Sequence, residues 1–509
     1  MRQEAIVTRM ADCVGLCNVI GTKVVRSSVP IYTNGNMVCK TCGSVFAPRK
    51  HLNKEKIAQF IKTNRSELFD IVMDLTTGPT ASVLENAIAI IHERFKHARC
   101  PCCLVGDTLV VGDNLPISDM TAGGSTIGLS GGENKVLQKF VHSYNGELLH
   151  IKAVGIPRII ATPEHPFLVV SRKMIDLLPM KYKNRKRLSK CSDGTRKTQL
   201  ILTEPIWKEA KNLNPKFGGR RCAGDYLILP KIKGTITAQT INIRRFVGAA
   251  NHRFKLFDFP INEQTAWFFG LYVAEGWTTR KSVCFGLGDS EKELHEKVTD
   301  IAKSLGFRTS SQSRAGETTM EVNSRVLARF FPTILGKGAS NKRIPDVVLL
   351  NADVKILKAF LNGYHQGDGR TYTSSWGKSL LDCTTVSRTL AFQLQLAYAC
   401  LGIFLSIHEK NGGKGTILGR SVNLRKQYHL VGIIGSRYNG GWTKETPEFY
   451  ALPVRSVASH WYSGPVYNLE TKDHTFIAGN VVNHNCSSSM NWRPSYRPRV
   501  IGLNSLMRT

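Results

Sequence analysis

Two short stretches of the sequence carry the groups needed to break two peptide bonds and form a third. Cys103 opens the run CLVGDT, and the run HNC closes far downstream with His484, Asn485 and Cys486. The thiol of Cys103 can attack the carbonyl carbon before it. The side-chain amide of Asn485 can attack its own carbonyl carbon, and Cys486 supplies a second thiol. These groups predict a precursor that excises residues 103–485 and joins its flanks.

Acyl transfer from nitrogen to sulfur is uphill and needs an acid–base group beside the scissile amide. Thr162 and His165 lie three residues apart in the β-rich run IIATPEHPFLV, so one hydroxyl and one imidazole can flank a backbone amide. The imidazole suits proton delivery because its ordinary pKa is about 6.5. We therefore assign Cys103, Thr162 and His165 to the first bond. At the second bond, His484 is placed to polarise the carbonyl or take a proton.

Four blocks in this order resemble those of an intein with a Hint splicing domain: CLVGDT, the Thr162–His165 pair, VYNLE, and DHTF followed by HNC. The resemblance implies a mostly β, horseshoe-shaped domain that splices by acyl shift, transesterification and Asn cyclisation without a cofactor. It also implies that His474 assists cleavage at Asn485. The family often has Asp where this chain has Asn468. The proton-shuttling role of that Asp is therefore not carried over to Asn468. Hedgehog-type autoprocessing shares the fold but stops at the thioester, and the Asn-Cys ending argues against it.

Two related segments lie between the splicing blocks, WFFGLYVAEGW and FLNGYHQGDG. Each is an apolar helical run with a glycine midway, Gly270 or Gly363, which allows two helices to approach closely because no Cβ intervenes. Each ends on an acid followed by a glycine, which suits the residue after a helix. Pairing of the helices would bring Glu275 and Asp368 together. Adjacent carboxylates repel each other unless a cation such as Mg²⁺ neutralises them.

These segments resemble the LAGLIDADG motifs of homing endonucleases. The resemblance implies an α+β pair of αββαββα type whose sheets form a saddle over double-stranded DNA. It implies a monomeric, Mg²⁺-dependent endonuclease with Glu275 and Asp368 on the metal, Lys342 as charge stabiliser, and Arg388–Ile407 as the later helix of the second repeat. Polar residues at apolar motif positions are expected to weaken packing of the second helix, and cleavage with it. They are Asn362, His365 and Gln366.

The flanks carry a candidate zinc site. Two C-x₂-C pairs, the second completed only after joining, can each hold two corners of a tetrahedral Zn²⁺ site. Between them, residues 54–96 are predicted to be largely helical, so the flanks are expected to be small, α-rich and zinc-binding. Cys13 and Cys17 form a competing pair. The cysteines assigned to zinc are Cys39, Cys42, Cys100 and Cys486.

Composition favours a nucleic-acid partner for the flanks and for the insert. The formal net charge is +31, from 69 Lys and Arg against 38 Asp and Glu, and such charge suits a polyanion. Residues 181–196 and 216–221 are basic and form either a DNA-contacting loop or a solvated surface loop. No apolar run approaches the roughly 20 residues of a membrane helix. With no signal-peptide pattern and thirteen cysteines expected to be reduced, we predict an intracellular protein with no membrane partner.

The sequence therefore predicts a splicing precursor with a nested endonuclease. The alternative is a zinc-dependent, nucleic-acid-binding host protein that carries an inactive insert. The predicted segments are an N-terminal host segment (1–102), the first half of the splicing domain (103–235), the endonuclease (240–445), the second half of the splicing domain (446–485) and a C-terminal host segment (486–509).

Overall fold

A computed structural model of the chain describes residues 102–485, apart from 177–197, 216–223, 245–256, 315, 376, 418–419 and 435–442, and four strands before residue 102. The chain divides into two compact units, one of Met1–Pro101 with Cys486–Tyr496 and one of Cys102–Asn485 with Arg497–Thr509. One division falls at the predicted Asn485–Cys486 seam, and the other falls one residue before the predicted Cys102–Cys103 seam. None of the helices described here is long and apolar enough to span a membrane.

The first unit is described only by an antiparallel sheet of four strands in sequence order. The sequence predicts an α-rich flank, whereas the described part of this flank is all strand. In β2, Val29, Ile31 and Tyr32 are residues that favour strands. The predicted helical segment 54–96 and the four zinc-assigned cysteines lie outside the described residues. The strands are β1 (Ala5–Ala11), β2 (Ser27–Tyr32), β3 (Met37–Val38) and β4 (Val45–Phe46).

The second unit contains a 14-stranded antiparallel sheet built from both ends of residues 102–485. Its last strands begin at Lys444 rather than at residue 446, because Lys444 pairs with Ala451. The strands from the first end are β5 (Leu104–Val105), β6 (Leu109–Val110), β7 (Leu115–Pro116), β8 (Ser125–Ile127), β9 (Glu133–Ala153), β10 (Ile159–Ala161), β11 (Pro166–Asp176), β12 (Thr198–Leu202), β13 (Ile206–Glu209) and β14 (Asp225–Pro230). Those from the other end are β27 (Lys444–Glu445), β28 (Phe449–Thr471), β29 (Thr475–Ala478) and β30 (Val481–His484).

Two features of this sheet bring the predicted seams together. The long strand β28 runs beside β9 and also pairs with β5, so Tyr467 lies opposite Leu104, next to the first seam. The hairpin β29–β30 carries the second seam at its end. Gly479 and Asn480 form its turn with φ of 59° and 60°, the left-handed conformation that a two-residue type I′ hairpin requires.

The nested part holds six helices among its described residues, in two repeats. The helices are α1 (Glu263–Glu275), α2 (Lys292–Ser304), α3 (Arg325–Leu335), α4 (Asp346–Leu349), α5 (Val354–Asp368) and α6 (Arg388–Cys400). Short 3₁₀ turns lie at Ala210–Asn212 and Ala339–Asn341. The strands are β15 (Thr240–Asn242), β16 (Asp258–Pro260), β17 (Gly276–Thr278), β18 (Ser282–Gly288), β19 (Thr309–Arg314), β20 (Glu317–Asn323), β21 (Gly369–Thr373), β22 (Ser379–Thr385), β23 (Leu405–Lys410), β24 (Gly413–Ile417), β25 (Arg420–Leu424) and β26 (Gln427–Ile433).

Both repeats build a four-stranded sheet in the same order. The first is β17-β18-β20-β19 and the second is β21-β22-β26-β23. The later helix of the second repeat was predicted to reach Ile407, and this is wrong. Helix α6 ends at Cys400 because Gly402 adopts a left-handed φ of 78°, and Ile407 belongs to β23, where it is buried.

Helices α1 and α5 meet backbone to backbone. A Cβ on Gly270 would stand 2.0 Å from the carbonyl oxygen of Phe360, and one on Gly363 would stand 2.1 Å from that of Trp267. Of the polar residues expected to weaken this packing, His365 has its Nδ1 buried without a hydrogen bond, whereas Asn362 is exposed and lies off the contact. Gln366 even strengthens it, since its Oε1 accepts a hydrogen bond from Nε1 of Trp267 at 2.6 Å.

The glycines that end these helices serve a different purpose from the one predicted. Gly276 has φ −99° and ψ 151°, and Gly369 has φ −98° and ψ 154°. Both are extended, so each helix passes directly into the first strand of its repeat. The glycines are needed for space. A Cβ on Gly276 would stand 2.3 Å from Cδ2 of Tyr272, and one on Gly369 would stand 2.0 Å from Nδ1 of His365.

Helix α6 contacts the hairpin β29–β30 directly. Nδ2 of Asn480, in the turn of β29–β30, donates to the carbonyl oxygen of Phe392 at 3.0 Å and to Oε1 of Gln395 at 2.9 Å. Nε2 of Gln395 in turn donates to the carbonyl oxygen of Gly155 at 2.6 Å. The nested repeats thus hold the turn that precedes the second seam.

Candidate functional site

The first predicted seam is buried next to β5, where that strand pairs with β10 and β28. Cys103 and Thr162 are both fully buried. The N–H of Cys103 donates to Oγ1 of Thr162 at 2.8 Å, and the N–H of Thr162 donates to the carbonyl oxygen of Cys103 at 2.9 Å. Leu104 in β5 pairs with Ala161 in β10. The Thr162 hydroxyl therefore contacts the nitrogen of the peptide bond that the prediction places at the scissile position.

His165 contacts residues of both seams. Its Nε2 lies 3.0 Å from Oδ1 of Asn483, and its Nδ1 is buried without a hydrogen bond. Nδ2 of Asn483 donates to the carbonyl oxygens of Ala478 and Val481 at 3.0 and 2.8 Å. Because carbonyls only accept, Oδ1 of Asn483 must face His165. The proton of the neutral ring is therefore on Nε2, and Nδ1 keeps its lone pair.

The buried setting of His165 changes its expected acid–base behaviour. Burial lowers the pKa of His165 to about 4, although the Asn483 amide and the backbone of Cys102 both favour a proton on the ring. The sequence-based expectation took the ordinary pKa, near 6.5, and is too high. His165 is neutral near pH 7, so it can deliver a proton only after taking one up in the same reaction.

The second predicted seam lies at the end of β30. Nδ1 of His484 is 2.8 Å from the carbonyl oxygen of Asn485. Since this carbonyl can only accept, Nδ1 carries the proton and donates. Burial lowers the pKa of His484, with the Asn485 carbonyl acting in the opposite direction. Trp207 packs edge-on against the ring, with centroids 4.9 Å apart, so the imidazole is held on the carbonyl.

His474 forms hydrogen bonds with both the backbone and the side chain of Asn485. Its φ of 62° is left-handed, an uncommon conformation outside glycine, and its carbonyl oxygen accepts from the N–H of Asn485 at 3.0 Å. The amide orientation that satisfies every group has Oδ1 of Asn485 accepting from Nδ1 of His474 at 3.0 Å and from the N–H of Thr471 at 3.3 Å. In this orientation Nδ2 of Asn485 donates to the carbonyl oxygen of His474 at 3.3 Å.

Some predicted site residues lie outside the described residues. They include Cys486, which the splicing prediction needs, and the zinc-assigned Cys39, Cys42 and Cys100. The basic stretches 181–196 and 216–221 also fall there. In the part of the chain that is described, no group of three or more His, Cys, Asp or Glu residues could hold a metal ion.

Glu275 and Asp368 end helices α1 and α5 on the same side of the helix pair. A Cβ on Gly367 would stand 2.9 Å from Cγ of Glu275, so the Glu275 side chain lies against the residue before Asp368. Desolvation by the surrounding protein, with the Glu275 charge adding to it, raises the pKa of Asp368 to about 7. Burial also raises the pKa of Glu275. The structure thus brings together the two acids that the sequence pairs.

Lys342 contacts the end of α1. Its Nζ donates to the carbonyl oxygens of Tyr272 and Gly276, the latter at 2.7 Å, and lies 3.7 Å from the centroid of the Tyr272 ring. Burial lowers the pKa of Lys342 to about 7, against the pull of Asp368 and Glu275. Through its two hydrogen bonds Lys342 holds the C-terminal end of α1, and in its protonated form it also neutralises the helix dipole there. This is a positioning role besides the charge-stabilising role predicted for it.

Sequence reasoning missed two residues that contact the predicted seams. Asn483 fixes the ring of His165, and Trp207 fixes the ring of His484. Both act through contacts made by strands distant in sequence, since Asn483 pairs with Phe167 across β30 and β11. No spacing along the chain indicates such contacts.

Comparison with known proteins identifies one part of the chain. Residues 355–436 match the family model of the LAGLIDADG-like domain. They cover α5, β21, β22, α6 and most of the sheet that follows, and they include Asp368. A structure of the homing endonuclease I-DmoI in complex with DNA and Ca has 12% identity and a TM-score of 0.26, covering 35% of this chain and 85% of that chain. This similarity is too low to establish a shared fold.

Curated proteins of several different kinds are similar to segments of this chain. The ATP-dependent DNA helicase Hel308 of Thermococcus kodakarensis is 28% identical over 431 residues, 78% of this chain and 37% of the helicase. The replication factor C small subunit of Methanocaldococcus jannaschii is 31% identical over 214 residues, 36% of this chain and 11% of that protein. A DNA polymerase of T. kodakarensis is 30% identical over 146 residues, 28% of this chain and 8% of the polymerase.

The chain thus spans well under half the length of each of these three relatives. Its similarity to them is a similarity of segments, and their activities are not assigned to it. The family match and the paired acids lead to one conclusion: the chain contains a LAGLIDADG-like domain, matched over residues 355–436.

Proposed function

We propose that the chain is a precursor that excises residues 103–485 by protein splicing and joins its flanks. The observation that carries the proposal is the single neutral imidazole of His165 between the seams. The ring is hydrogen-bonded to Asn483, which lies two residues before Asn485 of the second seam. It also lies beside the backbone of Cys102 at the first seam. A buried ring nitrogen without a hydrogen bond calls for an explanation, and proton exchange at the adjacent Cys102 backbone supplies one.

The first step moves the acyl group of Cys102 from nitrogen to sulfur. Sγ of Cys103 bonds to the carbonyl carbon of Cys102, the C–N bond breaks, and the thiol proton ends on the departing nitrogen. Neutral His165 can take that proton and return it, and the Thr162 hydroxyl is in contact with the same nitrogen. The sulfur of Cys486 then bonds to the acyl carbon, the C–S bond to Cys103 breaks, and the proton of the Cys486 thiol ends on the sulfur of Cys103.

The second bond breaks when Nδ2 of Asn485 attacks its own carbonyl carbon. The C–N bond to Cys486 breaks, and the nitrogen takes the proton lost by the amide. His484 donates to the carbonyl under attack, so charge developing on that oxygen meets a donor already in place. His474 holds the amide side chain in position. A final shift from sulfur to nitrogen leaves an ordinary peptide bond between Cys102 and Cys486.

The set of relatives also supports an insert that is independent of its host. A helicase, a replication factor and a DNA polymerase are different kinds of protein, yet a segment of each resembles a segment of this chain. A transferable splicing insert accounts for that distribution. A host activity common to all three does not.

Blocked variants test the proposal. Cys103→Ala should release only residues 486–509, because the second seam still cleaves. Asn485→Ala should release residues 1–102 only when a thiol is added. If both variants and the parent chain remain intact, the splicing proposal is wrong, and the alternative of a nucleic-acid-binding host with an inactive insert is favoured.

We further propose that the nested domain cleaves double-stranded DNA with Glu275 and Asp368. The family match and the paired acids support it. The two carboxylates suit Mg²⁺, which is commonly held by one or two carboxylates together with substrate phosphates. When bound, such an ion would activate water and stabilise charge on the phosphate. Lys342 holds the end of α1, and so the position of Glu275.

A randomised duplex library tests the endonuclease. With Mg²⁺ or Mn²⁺ added, the excised insert should enrich cleaved ends that share one sequence. Asp368→Asn should abolish the enrichment while leaving the fold intact by circular dichroism. Identical end patterns from the parent and Asp368→Asn would refute the activity.

A further inference from the structure

Asn468 is a buried asparagine of β28 beside the first seam. It has no exposed surface and pairs with Phe140 of β9. Its Nδ2 donates to the carbonyl oxygen of Cys102. Its Oδ1 accepts from the N–H of Leu469 at 2.7 Å. Because a backbone N–H can only donate, this second bond fixes the amide with Nδ2 directed at the Cys102 carbonyl.

We propose that Asn468 is a catalytic residue that stabilises the oxyanion of the first acyl shift. The proposal rests on the proposed splicing function. When Sγ of Cys103 bonds to the carbonyl carbon of Cys102, the carbonyl electron pair moves onto oxygen. It returns as the C–N bond breaks, and the nitrogen leaves with the bonding pair and takes the thiol proton. The oxygen is fully charged only in between, so a donor already in place lowers that barrier.

An amide suits this position because it does not titrate. A carboxylate of the same shape could still accept from Leu469, but its second oxygen would face the Cys102 carbonyl and repel the oxyanion. Only the protonated acid could donate. Burial would raise the pKa of that carboxyl, so an Asp at this position would work over a limited pH range. Asn468 supplies the donor at any pH at which the Cys103 thiol reacts.

The test uses the full-length precursor carrying Asn485→Ala, so that only the first seam reacts. The rate of release of residues 1–102 by dithiothreitol is measured for Asn468, Asn468→Asp and Asn468→Ala over a mildly acidic to mildly alkaline pH series. Loss of one oxyanion donor typically costs about 10²-fold or more. We expect Asn468→Ala to be slowed by about that factor at every pH. Asn468→Asp should be slowed as much as Asn468→Ala at alkaline pH. Its rate should approach that of the parent as the pH falls, because the protonated acid can donate.

Each outcome bears on the proposal. Parent-like rates for Asn468→Asp across the whole series would overturn the role of Asn468 while leaving splicing intact. A parent that releases nothing with thiol would refute the splicing proposal, and this role with it. In the Cys103→Ala background, Asn468→Asp should leave cleavage after Asn485 unchanged. A loss there would show general damage to the fold and would overturn the assignment.

Discussion

Replacing Asn483 by leucine should slow the first acyl shift by changing the tautomer of His165. Asn483 has the only side-chain oxygen recorded at Nε2 of His165 among the described residues, at 3.0 Å. Leucine is of similar size but offers no acceptor. It also leaves the carbonyl oxygens of Ala478 and Val481 without the Nδ2 donor, so some loss of stability is expected with the change in rate.

The size of the effect follows from the burial of His165. A buried N–H without an acceptor costs roughly 1–3 kcal/mol. In the variant the ring can avoid that cost by moving its proton to Nδ1, beside the Cys102 backbone that favours a proton on the ring. The Nε2–H tautomer is then disfavoured by about the same amount, a population ratio of roughly 5-fold to 150-fold. Nδ1 no longer offers a lone pair, and the rate should fall by a similar factor.

Two measurements check the reasoning. Release of residues 1–102 by thiol from an Asn485→Ala precursor gives the rate, and long-range ¹H–¹⁵N correlation spectra give the tautomer of His165. Asn480→Gly is the matched control, because glycine keeps the left-handed turn of the same hairpin and removes only bonds to α6. If Asn483→Leu moves the proton to Nδ1 and the parent rate is retained, the role assigned to His165 is refuted. If the Nε2–H tautomer is retained, the role assigned to Asn483 is refuted.

Three further changes have defined outcomes. Gly270→Ala should lower the free energy of unfolding by about 1–3 kcal/mol or more, since its Cβ would meet the carbonyl of Phe360. Gly413→Ala, with no atom within 4 Å of the added carbon, should change it by about 0.5 kcal/mol at most in urea titrations. Mn²⁺ affinity, followed by electron paramagnetic resonance, should fall about tenfold per pH unit below about 7, because a proton competes for Asp368; Asp368→Asn should flatten this slope. His484→Phe should slow cleavage at the second seam by about 10²-fold, with thiol-dependent cleavage at the first unchanged; equal slowing of both would contradict its assigned role.

Sequence reasoning identified what is encoded locally. Gly270 and Gly363 mark the helix contact because any side chain would collide with the opposite backbone. Glu275 and Asp368 follow from the same two helices, since both end at the same side. Errors arose where a neighbour decides the conformation. The position at which α6 ends depends on the left-handed conformation of Gly402. The need for glycine at position 276 depends on the adjacent ring of Tyr272.

The chemistry proposed for the seams rests on residue types, whereas the geometry of the seams could not be predicted from them. The pKa of His165 depends on complete burial beneath strands that begin far apart in the chain. Its tautomer depends on Asn483, which reaches it because β30 pairs with β11. Asn468 drew notice as a departure from a family pattern, and only the pairing of β28 with β5 shows which carbonyl it contacts.

The central claim is that this chain cuts and rejoins itself, and intact mass spectrometry of the freshly expressed full-length chain tests it most directly. We predict two products, the excised segment 103–485 ending in a cyclised Asn485, and residues 1–102 joined to 486–509. A tryptic peptide that contains the Cys102–Cys486 bond should confirm the junction. A single mass equal to the uncut chain, with Cys103 and Asn485 unmodified, would contradict the account.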